Sequence, residues 1–197
     1  MVIVLCYLPT LKRRKDGASG QFGYTVETIG PNNNGQDIMR HLISTQTAAL
    51  LTGKAMRTVQ HWVADGGVKN VTVERRRAGI ERDRSLVSLE DLATRIPITL
   101  NPERIEAIMQ ANAGDVDAML QVGLEFFAEE EQKIAAEWLH LAAKKGQVDA
   151  MEWLSICYLN GLGFTRDPAE GLQWLSKAAS LGHPVARVKL QAMGFAL

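Results

Sequence analysis

Lys54, Arg57, Thr58, Gln60 and His61 place hydrogen-bond donors along one flank of a helix that would run from about Ala55 to Ala64. Ammonium and guanidinium groups pair with phosphate oxygens, and an amide or imidazole can read the edges of bases, so this flank suits a nucleic acid duplex. Val59, Trp62 and Val63 recur at three and four residues and mark the opposite, core-facing side. Beyond the helix stand Arg75, Arg76, Arg77, Arg82 and Arg84, partly offset by Glu74, Glu81 and Asp83. Arginine makes forked contacts to phosphate and enters a narrow minor groove, though such a cluster also fits a solvated edge that discourages strand pairing. Other chemistries find no support. His41, His61, His140 and His183 occur singly, without the spacing of a metal site. Glu129-Glu130-Glu131 reads as a solvated helix end, and Cys157 as a small core residue. No catalytic, cofactor or metal residues are therefore expected.

The donor flank needs elements to hold it. Ser44 can cap a preceding helix, Ala48, Ala49 and Leu51 give that helix a small apolar inner side, and Gly53 supplies a tight turn into the next helix. Gly66 and Gly67 end the second helix, and Val68 to Arg75 alternates as a strand. Ala78-Gly79 predicts a turn, Arg84 to Val87 a return strand, and Ser88-Leu89-Glu90-Asp91 a capped helix start. Helix, turn, helix, two-stranded wing, helix is a winged-helix order. The stretch resembles the excisionase and MerR-type DNA-binding family through Ala48, Ala49, Leu51, Gly53, Arg57, Thr58, Val59, Trp62, Val63, Ser88, Glu90, Asp91 and Leu92. It departs at Thr52 and Lys54, where that family has Leu and a small apolar residue. The resemblance implies a winged helix-turn-helix over residues 40–96 that binds double-stranded DNA. Arg57, Thr58, Gln60 and His61 would approach base edges, and Lys54 and the wing arginines would hold phosphates.

Charge is distributed in keeping with such a module. The 197 residues are 46% hydrophobic and 22% charged with zero net charge. Residues 1–100 nevertheless hold 14 Lys and Arg against 9 Asp and Glu, and residues 101–197 hold 8 against 13. A basic half followed by an acidic one fits a polyanion-binding unit joined to one that avoids polyanions. No apolar run reaches a membrane span, and two distant cysteines, Cys6 and Cys157, predict a reduced, cytoplasmic setting. Residues 1–39 read as a flexible leader, because Gly17 to Gln36 contains five glycines and Asn32-Asn33-Asn34. Met39 would then be the working start.

After Asn101-Pro102-Glu103, a capped helix opening, a repeat appears. Ala118-Met119-Leu120 recurs at Ala150-Met151-Glu152 and, weakly, at Ala186-Arg187-Val188, at intervals of 32 and 36 positions. Ala136-Glu137-Trp138-Leu139 recurs at Leu172-Gln173-Trp174-Leu175. The second unit, through Ala150, Leu154, Tyr158, Gly161, Gly163, Asp167, Ala169, Gly171, Trp174, Lys177, Ala178, Ala179 and Gly182, resembles the Sel-like repeats, relatives of tetratricopeptide repeats. Residues 183–197 look like the first helix of a third unit. The expected fold is mostly α, a winged helix-turn-helix with a small two-stranded wing followed by a short α-solenoid over residues 101–197. The resemblance implies a protein partner or self-association, with a homodimer one form of it. The whole then reads as a DNA-binding regulator, either a transcription factor or an excision accessory factor. An adaptor that binds only protein, and a regulator that binds RNA, remain alternatives.

Overall fold

In the computed structural model, which describes residues 25–31, 37–73, 76–77, 80–81 and 84–195, a small antiparallel sheet leads into a stack of helices. Helix α1 (Thr45–Thr52) begins where the Ser44 hydroxyl accepts from the Thr47 amide at 3.1 Å. It stops at Gly53, whose φ of +61° is a conformation that a β-carbon would strain. Helix α2 (Met56–Ala64) follows, with Val59 buried, Trp62 and Val63 half-buried, and the buried Ala48 and Leu51 of α1 in the same core. The three-and-four spacing thus turns the helix as expected.

The stretch expected as a wing forms an antiparallel ribbon. Strand β3 (Asn70–Val73) pairs with β6 (Arg84–Ser88), Asn70 lying opposite Val87 and Val73 opposite Arg84. The same register continues through β4 (Arg76–Arg77) and β5 (Ile80–Glu81), where Arg77 faces Ile80. Ala78-Gly79, expected as the turn, lies outside the described residues.

Two expectations need correction. The ribbon is not an isolated two-stranded wing, because β1 (Thr25–Pro31) pairs with β2 (Asp37–Ser44) and β2 pairs with β6, giving the order β1-β2-β6-β3. The stretch expected to be a flexible leader therefore contains a strand, and Met39 sits within β2 opposite Thr28. The glycine and asparagine content of residues 17–36 masks a local β-prone run, Thr25-Val26-Glu27-Thr28-Ile29. Pairing with β2 supplies backbone partners that such a short run lacks alone.

Helix α3 (Leu89–Leu92) is capped by Ser88 and runs into a 3-10 turn over Ala93–Arg95. The solenoid then comprises α4 (Pro102–Ala113), α5 (Val116–Ala128), α6 (Gln132–Lys144), α7 (Val148–Asn160), α8 (Pro168–Ser180) and α9 (Pro184–Ala192). Asn101, Asp115, Gln147, Asp167 and His183 each cap a helix start with a side-chain acceptor, which satisfies an amide lacking an intrahelical partner. Gly163 packs so closely on α6 that a β-carbon there would stand 2.2 Å from the Gln132 carbonyl oxygen. One apolar cluster runs unbroken from Ile43, Leu51 and Val87 through Phe126 and Trp138 to Leu175 and Leu190.

Candidate nucleic-acid interface

Helix α2 is held from its buried side and from its C-terminal end. Val68 donates its amide to the Trp62 carbonyl at 3.1 Å, and the Arg95 guanidinium lies 4.9 Å from the centre of the Trp62 ring. Arg95 also donates to the Asp91 carbonyl at 3.1 Å, while the Asp91 carboxylate accepts from the Lys69 amide at 2.9 Å. The base of the ribbon and the helix after it are thereby tied to the inner face of α2. Across the sheet, Glu90 accepts from the His41 amide at 3.0 Å and meets the His41 ring at 2.7 Å, with Ser88 donating to its other oxygen. Burial pushes the Glu90 carboxyl up, but these bonds outweigh it and hold the group below its ordinary value.

The opposite flank is open. Lys54, Arg57, Gln60 and His61 are exposed, and Thr58 is half-buried with its amide bonded to the Ala55 carbonyl. His61 makes an exposed pair with Asp65 one turn further on, at 3.1 Å. Ala55 occupies the N-cap position of α2 without a side-chain acceptor, so the first amides of the helix are not capped from that position. Arg76 and Arg77 lie in β4 and Arg84 opens β6, whereas Arg75 and Arg82 lie outside the described residues. The backbone therefore carries three of the five expected arginines along the ribbon that follows α2.

The solenoid approaches this unit from behind. Ile134 of α6 reaches the Gly53 turn, and Asn112 of α4 accepts from the Ser44 amide at 2.9 Å and from the Thr47 hydroxyl at 2.8 Å. It packs on α1 and β2, and the donor flank of α2 is left exposed. Asn112 and Arg95 have no local sequence signal, since their partners lie 65 or more and 33 residues away in the chain. Met56 is exposed at the first position of α2, one turn before Gln60.

Elsewhere, chemistry is subdued. Burial pushes the Cys157 thiol up to about 11, which disfavours the nucleophilic thiolate. Glu129 is engaged by Arg104 at 2.6 Å. No helix among the described residues is long and apolar enough to cross a membrane.

Stacked helix pairs make residues 102–192 an α-solenoid. Within that solenoid the Sel1 repeat family matches residues 107–147 and 148–183. Both matches lie C-terminal to α2 and the ribbon. The chain is similar to the mouse protein DAP3-binding cell death enhancer 1, 33% identical over 100 residues, and to its rat counterpart, 32% identical over 100 residues. Each match covers 47% of this chain but only 19% of the relative, so the chain spans about a fifth of those proteins. A crystal structure of a Sel1 repeat protein from Oxalobacter formigenes is similar at 27% identity and a TM-score of 0.44, covering 53% of this chain and 33% of that one.

Proposed function

We propose that the protein is a DNA-binding regulator whose Sel1 repeats contact a second protein. The observation that carries the reading is the open donor flank of α2, with Lys54, Arg57, Gln60 and His61 exposed and the arginine-bearing ribbon following in the chain. In helix-turn-helix proteins the second helix enters the major groove, and the wing reaches phosphate or the minor groove. The unit comprises residues 40–96 together with the strand before them, and residues 101–197 serve the partner. A protein partner is supported by the repeats and by the name of the rodent relatives, which describes them as DAP3-binding.

Mobility shift of random duplex DNA at two salt concentrations tests the proposal. A regulator shows a shift that weakens steeply with salt, and a salt-independent absence of shift would sink the reading. Lys54→Ala should weaken all sequences alike and lower the salt slope by about one. Arg57→Ala or Gln60→Ala should change sequence preference by about 1–3 kcal/mol.

A second reading, an adaptor without DNA contact, is favoured by one observation. Helix α1 and strand β2 pack on α6 and α4 like a terminal cap of the solenoid. It predicts no shift under either condition, together with partner binding that survives loss of Lys54 and Arg57.

A further inference from the structure

Met56 is out of place on a polar flank. Its side chain is 45% exposed, and the other exposed large apolar side chains among the described residues all fall between Leu181 and Phe195. It opens α2, and helical spacing aligns it with Gln60 and the exposed Ala64 at successive intervals of four. Arg57, His61 and Asp65 form the neighbouring ridge, where His61 is engaged with Asp65 at 3.1 Å. The Met56 ridge thus presents a thioether, an amide and a methyl group in line, at the end of the helix that leads into a groove.

We propose that Met56 and Gln60 together read an A·T pair or step in the major groove. This rests on the DNA-binding reading above and names the base chemistry it would recognise. In that groove adenine offers an N7 acceptor and an N6 donor, which a glutamine amide matches with two bonds, and thymine adds a 5-methyl group. A flexible, polarisable thioether covers such a methyl without needing a hydrogen bond. Residues four apart on a helix have β-carbons about 5–6 Å apart. The base-pair rise is about 3.4 Å, so both side chains reach the same or adjacent pairs. A solvated methionine has no electrostatic role on this flank, whereas against a methyl group its exposed surface is removed from water.

The test uses the full chain and a duplex selected from random sequence, then remade with deoxyuridine for thymidine, which deletes only the methyl, or with 7-deaza-2′-deoxyadenosine (below, 7-deazaadenosine), which replaces only N7 with a C–H. Deoxyuridine should weaken binding about fourfold per contacted methyl, and 7-deazaadenosine about tenfold. Met56→Ala should abolish the response to deoxyuridine while Met56→Leu retains it, and Gln60→Ala should abolish the response to 7-deazaadenosine. Equal binding of natural and substituted duplexes by the unaltered chain overturns the proposal. So does a Met56→Ala variant that still distinguishes thymidine from deoxyuridine. Failure to bind any duplex removes the DNA reading itself, a different result from binding that ignores the methyl.

Discussion

Single side chains in this protein titrate against their packing. His140 of α6 lies edge-on to the rings of Phe164 and Trp174, with centroids 5.9 and 6.2 Å away. Burial, helped by the Lys144 ammonium and opposed by Glu137 and Glu170, holds its imidazole below the usual 6.5. The unfolded chain therefore binds the proton more readily, so the His140 contribution is complete above about pH 6.5 and is lost as pH falls from there through the lower folded value. His140→Phe should flatten the fall in Tm between about pH 7 and pH 5, and an unchanged slope would remove His140 as its source. Glu90 has the complementary role at lower pH. Its folded carboxyl titrates below 4.5, so its stabilisation is present above that value and disappears as pH drops through the folded one. Glu90→Gln should therefore lose stability at neutral pH and converge on the unaltered protein in strong acid, as followed by thermal melts.

At the scale of elements, the two repeats treat the same position differently. In α8 the Trp174 indole donates to Glu170 four residues earlier, at 2.9 Å. The corresponding Trp138 of α6 is buried with its indole N–H unpartnered, because Ile134 stands where the second repeat has Glu170. A buried unpaired donor costs about 1–3 kcal/mol, while Ile134 is buried against the Gly53 turn. Ile134→Ala should destabilise by about 2–4 kcal/mol in denaturant titration, since it empties a buried contact between two elements. Gly163 is the tighter constraint. A β-carbon would collide with the Gln132 carbonyl at a φ of +78°, so Gly163→Ala should cost about 3 kcal/mol or more and part α6 from the loop before α8.

At the scale of the whole molecule, the joint between sheet unit and solenoid decides how far either acts alone. Asn112 completes the cap of α1 and Ile134 seats its turn, within an apolar cluster that has no break between the two parts. A fragment of residues 37–100 lacks both partners and should melt well below the full chain, whereas independent folding would show as equal Tm values by circular dichroism. Asn112→Ala, which removes the acceptor for Ser44 and Thr47, should lower stability by about 1–2 kcal/mol and affect α1 and α2 more than α8 and α9 by hydrogen exchange.

Much of this arrangement is legible in the residues themselves. The cap at Ser44, the turn at Gly53, the inward side of α2, the cap at Ser88 and the helix pairs repeating after residue 116 all depend on neighbours within a few positions, so local spacing determined them. Strand β1 is not legible in the residues because a strand draws its stability from a partner that the linear pattern does not name. The same holds for Asn112 against Ser44, for Ile134 against Gly53 and for Arg95 over Trp62. Each joins surfaces brought together only when the chain packs. Spacing therefore determined which flank of α2 is polar. Tertiary packing decided that it stays open, because the solenoid packs on α1 and β2 and leaves Met56, Arg57, Gln60 and His61 in solvent.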